Sequence, residues 1–269
     1  MMVIVAHPGD EAFGFGGAIA TAVAAGAYVV VVCVTRGYFD PRLSLKPAAP
    51  GGKNRDVKDN PATWRNIDTV REDELRRSVA VLGVRVLRML DYAEGQLPSL
   101  NFDELVSRIV EPIRMHRPEV ILSFGPDGVT GDSDHVVLSR AVSAAFDRAG
   151  EPLAYEDDLE EDQVAWRAAK LFHLVVPPTA VGLLGEAAPH EGYGSDGEPS
   201  VTLELGEAAQ LKLAAIGRHV SQTGSAGPFR DWSPDVRDRY LSMEYYRLAR
   251  SNLPIPVAYG EATLFDGLP

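Results

Sequence analysis

The chain is nearly devoid of cysteine, with Cys33 alone among 269 residues. No internal disulfide can form, so a disulfide-stapled scaffold is excluded. Cys33 sits in the apolar run YVVVVCV with no basic neighbour in sequence, and reads as a small buried apolar residue rather than a nucleophile. Basic residues are also in deficit: 26 Lys and Arg face 38 Asp and Glu, a formal charge of −12. Phosphate-binding surfaces are built from excess cations, so no nucleic-acid partner is expected. No apolar run approaches the roughly 20 residues that cross a bilayer. No basic segment precedes an apolar one at the N-terminus, so neither membrane insertion nor export is expected, and the expected location is the cytoplasm.

What is present is ordinary for a globular protein, 45% hydrophobic and 24% charged. Short β-branched runs alternate with helical spacing. Val3–Ala6 reads as a buried strand, 12–25 as a small-residue helix stopping at Gly26, and Tyr28–Val34 as a second strand. Two strands joined by one helix imply a right-handed parallel crossover. The spacing predicts further helices over 67–82, 102–116, 136–149 and 208–220, with Pro112 ending or kinking the second of these. Strands are expected at 84–90, 120–124, 171–176 and 201–205. Polar stretches at 38–64 and 182–199 read as long loops over a site. Trp232, Tyr240, Tyr245 and Tyr246 are expected to pack a last helix onto the body. The glycines of GFGGA (14–18) do not keep the G-x-G-x-x-G spacing, so close helix–sheet packing is preferred to dinucleotide binding. The expected fold class is α/β: a Rossmann-like, doubly wound, mostly parallel sheet flanked by helices, as a single domain over 1–269, with long loops over a site at the carboxyl ends of the strands.

Two polar clusters follow predicted strands, HPGDE at 7–11 and GPDGVTGDSDH at 125–135. In open α/β sheets both would lie beyond the carboxyl ends of their strands, where ligands bind. His7, Asp10 and His135 then form a three-ligand metal site with a position left for water. Zn²⁺ suits such a set, and Fe²⁺ suits it too. The plainer alternative is that His7 bonds to backbone, Asp10 caps a helix, and Asp132, Ser133 and Asp134 are N-cap residues. His219 falls on an apolar-faced helix and reads as structural, while His116, His173 and His190 have no motif around them.

AHPGDE at 6–11 resembles the AHPDDE signature of the LmbE-like, or PIG-L, family of N-deacetylases. The likeness continues in family order through TRG (35–37), VREDELRRSVAVLGV (70–84), YAEGQL (92–97), RPEVILSFGPDG (117–128), SDH (133–135) and RHVSQ (218–222). The resemblance implies a metal-dependent hydrolase that removes acetyl from an N-acetylglucosamine-type amide in a small conjugate. It places His7, Asp10 and His135 at the zinc-ligand positions, Asp132 and Asp134 among the catalytic positions, and Arg36, Arg71 and Glu94 at sugar-contacting ones. Two positions depart from the pattern. Gly9 stands where the family carries its general base, and glycine takes no proton; Asp132 stands where the family has an oxyanion-stabilising His. Loss of a positioned base costs about 10²–10⁴ in rate. Gly9 is consistent with an engineered inactivation, with a weakly active or purely metal- and sugar-binding member, or with Asp132 serving as the base. A non-haem iron oxygenase is disfavoured, since such sites usually sit on β-sandwiches.

Overall fold

Seven strands share one sheet in the computed structural model, which describes residues 1–37, 67–155, 163–184, 194, 197–223, 229, 232–253 and 262–268. The strands are β1 (Met2–Val5), β2 (Val30–Thr35), β3 (Val86–Tyr92), β4 (Val120–Phe124), β5 (Lys170–Val175), β6 (Val201–Glu204) and β7 (Met243–Ser251). The helices are α1 (Asp10–Ala24), α2 (Ile67–Val81), α3 (Phe102–His116), α4 (Ser133–Arg148), α5 (Pro178–Leu184), α6 (Ala208–Ile216), α7 (Val220–Thr223) and α8 (Pro234–Ser242).

The sheet order is β3-β2-β1-β4-β5-β7-β6. The first five strands are parallel; β7 runs antiparallel to β5, and β6 antiparallel to β7. β1, β2, β4 and β5 are buried along their whole length, which explains why they read as mostly apolar runs rather than alternating ones. Right-handed crossovers place α1 and α2 on one face and α3 and α4 on the other. The strand order reverses between β1 and β4, so the crevice beyond their carboxyl ends lies where the two polar clusters emerge. The α/β fold expected from the sequence is therefore present.

The glycines of α1 act through packing. A β-carbon at Gly14 would stand 2.7 Å from Leu174 Cδ2, and one at Gly17 2.4 Å from Leu205. Close approach of helix to strand requires both glycines. Cys33 is fully buried, its Sγ donating to Thr35 O at 3.3 Å. Burial, and then the charges of Glu11 and Asp10, push its thiol well above the ordinary range, so it stays protonated and unreactive.

Three expectations differ from the structure. Tyr245 and Tyr246 lie in strand β7, not in a last helix, which is α8 and ends at Ser242. The strand alternates, burying Glu244 and Tyr246, but a buried carboxylate hides that period from the sequence. Pro112 does not end α3, which continues to His116 and stops where Arg117 takes a left-handed φ of 48°. The helix predicted over 208–220 ends at Ile216, with α7 separate. The loop proper at 38–64 and most of 182–199 lie outside the described residues. No helix among the described residues is long and apolar enough to cross a membrane.

Candidate metal centre

β1 delivers His7, and the chain turns at Pro8–Gly9 into α1, whose first residue is Asp10. Gly9 is the N-cap of α1 with φ 112°, a backbone region that side chains with a β-carbon rarely occupy. β4 leads through the loop 125–131 to α4, which carries His135 in its first turn. Asp132 is the N-cap of that helix: its Oδ1 accepts from Asp134 N at 2.7 Å and His135 N at 3.4 Å. The same helix start thus provides the cap and presents His135.

Three donor atoms converge. His135 Nε2 lies 3.2 Å from His7 Nδ1 and 3.2 Å from Asp10 Oδ2, and His7 Nδ1 lies 3.6 Å from Asp10 Oδ2. A tetrahedral ion with ligand bonds of 2.0–2.2 Å spaces its donors by about 3.3–3.6 Å, so the set matches a zinc-sized ion. The far nitrogen of each imidazole is held. His7 Nε2 lies 3.0 Å from Asp134 Oδ2, and His135 Nδ1 3.1 Å from Gly128 O. Such outer partners fix ring orientation and tautomer in metal-binding histidines. Phe124 stacks on His135 at 3.9 Å and 7°, which closes the remaining freedom of that ring.

The electrostatics suit a cation. Burial pulls the His7 imidazolium down, but the Asp134 hydrogen bond and the charges of Asp10, Glu94 and Asp132 outweigh it and carry its pKa up to about 9. Burial pushes Asp10 up, yet His135 and His7 hold it at about 2. Burial likewise lowers His135, while Asp10 raises it further, for a net upward shift. Acidic groups therefore surround both rings, and positive charge is favoured there.

The other expected residues fall into three places. Asp134 is fully buried; besides His7 it accepts from Gly95 N at 2.6 Å and Leu97 N at 3.1 Å, so it orients His7 and has no exposed face. Asp132 is exposed and carries a carboxylate oxygen within 4.8 Å of a His7 ring nitrogen. Arg71 and Glu94 form an ion pair beside the site, and Arg71 also donates to Gly37 O at 2.6 Å and Pro8 O at 3.2 Å. A β-carbon at Gly37 would meet that guanidinium at 2.6 Å, which explains the glycine of the TRG triplet. Arg36 lies apart from this group and bonds to Asp91 at 2.8 Å. Gly9 leaves the site without a carboxylate at its position, and the Gln222 amide fills the space beside it.

A layer beneath the site was not identified from residue types. Glu11 is fully buried and accepts from Gly9 N at 2.8 Å and Ser78 Oγ at 2.6 Å, while His219 Nε2 lies 2.7 Å from it. Gln222 Nε2 donates to Pro8 O at 2.7 Å, and Ser221 N to Glu74 Oε1 at 2.8 Å. His219, Ser221 and Gln222 belong to the RHVSQ segment, so that segment braces the metal loop from below. His219 is fully buried and lies between α6 and α7 rather than on the expected helix.

An α/β sheet carrying a two-histidine, one-carboxylate donor set at its switch point defines the class of protein. Residues 2–146 match the family model described as PIG-L, GlcNAc-PI de-N-acetylase, and the chain belongs to that family. Over 299 residues it is 30% identical to a 1D-myo-inositol 2-acetamido-2-deoxy-alpha-D-glucopyranoside deacetylase of Streptomyces griseus, covering all of this chain and 89% of the relative. It is 29% identical to the protein of the same name from Geodermatophilus obscurus, covering all of this chain and 98% of the relative. Among solved structures, the N,N'-diacetylchitobiose deacetylase of Pyrococcus horikoshii is similar in fold, with TM-score 0.68, 19% identity and coverage of 92% and 82% of the two chains. So is a 4-carboxy-2-hydroxymuconate hydratase of Pseudomonas putida, with TM-score 0.66, 16% identity and coverage of 96% and 98%. The same fold thus carries two reactions, and the fold alone does not choose between them.

Proposed function

We propose that this chain is a metal-dependent N-deacetylase of one domain, acting in the cytoplasm on a small N-acetylglucosamine-type conjugate, with Zn²⁺ as its ion. The convergence of His7 Nδ1, Asp10 Oδ2 and His135 Nε2 carries the reading. The curated relatives named above, deacetylases of an acetamido sugar, support the substrate class. When bound, the ion would polarise a carbonyl and make hydroxide available near neutral pH.

The protein's own residues supply the rest. Asp134 holds His7 so that Nδ1 faces the other donors. Arg71 and Glu94 bind the sugar, a role supported by an Arg71 Nε that is buried and has no partner among the described residues. Arg36, paired with Asp91 and largely solvent-facing, is an outer contact for the conjugate at most. Asp132, exposed and near His7, receives the water proton that a carboxylate at position 9 would otherwise take. One of its two oxygens is already engaged in the N-cap bonds from Asp134 N and His135 N. Activity is therefore low.

The second reading is a metal- and sugar-binding member without turnover. Gly9 favours it, because no carboxylate stands at that position and Gln222, which is no base, occupies the adjoining space. Metal analysis joined to amine release from N-acetylglucosaminides separates the two. Stoichiometric zinc with slow release supports the enzyme; zinc with saturable sugar binding and no release leaves the binding protein; no bound metal sinks both.

A further inference from the structure

Next to two of the three donors lies a chamber of about 370 Å³. Asp10 and His135 form part of its wall, so it borders the donor cluster. Most of the remaining wall is apolar, with Phe13, Phe124, Val129, Leu174, Val176 and Met243 prominent. Several polar side chains of its described lining are already engaged. Lys212 Nζ pairs with Glu244 at 2.9 Å, Tyr240 OH donates to Phe13 O at 3.1 Å, and Tyr245 OH donates to Met243 Sδ at 3.3 Å. Thr130 Oγ1 contacts His135 Nδ1 at 3.2 Å, and Gln222 Nε2 is held by Pro8 O. Among the described lining side chains only Arg239 is charged and exposed. An occupant is therefore held mainly by removal of its apolar surface from water.

The chamber and the sugar-facing pair lie on opposite sides of the donors. Arg71 and Glu94 sit by the ends of β2 and β3, while the chamber is walled from β5, α5, α8 and β7. The sheet order puts β1 and β4, the strands that deliver the donors, between these two sides. An amide whose carbonyl lies at the donors, with its amino sugar on Arg71 and Glu94, points its acyl group the other way. An acetyl methyl would leave the chamber nearly empty, since an apolar cavity of roughly 150 Å³ already accepts a benzene.

We propose that this chamber is an acyl subsite, and that the preferred substrate is an amino sugar whose nitrogen carries a medium-length or aromatic apolar acyl group. The proposal rests on the hydrolase reading above. One water is consumed: its oxygen bonds to the acyl carbon, the C–N bond breaks, and the nitrogen leaves with a proton as amine while the apolar acid remains in the chamber.

The test uses the zinc-loaded full chain with N-acetylglucosamine, N-octanoylglucosamine and the octyl glycoside of N-acetylglucosamine, with released amine and calorimetric binding measured for each. Each buried methylene is worth ~0.8 kcal/mol, about fourfold. N-octanoylglucosamine is expected to exceed N-acetylglucosamine at least tenfold in kcat/KM. Ala180→Trp, and separately the half-exposed Met243→Trp, narrow the chamber and are expected to collapse that ratio toward one. Acetyl release without an octanoyl advantage overturns the subsite and leaves the deacetylase standing. An advantage confined to the octyl glycoside, lost in the same variants, also overturns it, because the chamber then holds the aglycone. If no amine is released but N-octanoylglucosamine binds at least tenfold more tightly than N-acetylglucosamine, and Ala180→Trp abolishes the difference, the subsite stands and the hydrolase reading fails. Neither release nor tighter binding removes both.

Discussion

The side-chain oxygen of Gln222 lies 2.8 Å from the point where a β-carbon on Gly9 would stand. Gly9 also has φ 112°. Two obstacles, one steric and one in the backbone, therefore oppose any carboxylate placed there, although Gln222 is flexible and could swing away. Gly9→Asp alone is expected to lower stability by about 1–3 kcal/mol, the range for a strained backbone residue. Gln222→Ala in the same chain should recover part of it and raise the amine-release rate above either single variant. A double-mutant cycle in denaturant and in rate measures the coupling. Full additivity would show that Gln222 does not occupy that space in solution.

Asp134 accepts from two backbone N–H groups and faces His7 Nε2. Asn at this position can satisfy some of these contacts and turns a donor toward another. Asp134→Asn is expected to weaken zinc binding by about 10–100-fold, the usual effect of losing an outer partner of a ligating histidine. A chelator competition titration reads it; an unchanged affinity would dissociate Asp134 from the donor set.

Lys212 and Glu244 are each about 2% exposed and pair at 2.9 Å. Glu244 also accepts from Gly17 N and Ala18 N at 2.8 Å each and from Tyr246 OH at 2.7 Å. Lys212→Met removes the cation and strands the carboxylate, with an expected loss of about 3–5 kcal/mol. Adding Glu244→Gln should restore a share, because the charge goes while the acceptor oxygen remains. Urea unfolding of the three variants decides it, and an additive pair of losses contradicts the account.

His173 in β5 is buried, and burial together with Arg247 and Arg250 lowers its pKa from 6.5 to about 4. The folded protein thus resists a proton that the unfolded chain accepts. The sign follows: His173 leaves stability unaffected above about pH 6.5 and destabilises progressively as pH falls toward 4, by on the order of 3 kcal/mol in full. His173→Leu should flatten the fall in thermal midpoint between pH 6.5 and 4 relative to the unaltered chain. Parallel curves for the two would show that other groups govern the acid limb.

Much of this was legible because the parallel core strands are mostly apolar. β1, β2, β4 and β5 announced themselves, and the doubly wound topology alone joins His7 to a histidine 128 positions later. Strand β7 was not legible, because its inward face includes a carboxylate that charge counting assigns to solvent. Glu11, Ser78 and His219 were hidden for a related reason: a buried hydrogen-bonded cluster looks like surface polarity until three segments meet. Likewise Gly9 showed a missing base in the sequence, but only the structure shows that Gln222 has taken the adjoining space.

The order in which the ribosome makes these pieces has its own consequence. His7, Asp10 and His135, with their braces Asp134 and Gly128, all lie within the first 135 of 269 residues. The far walls of the chamber, from β5 to β7, emerge last, and so do Glu244 and Tyr246, which bond to the backbone of α1 at Gly17, Ala18 and Gly14. A growing chain therefore holds every donor residue before it holds the proposed acyl chamber, whose β7 wall also carries the bonds to α1.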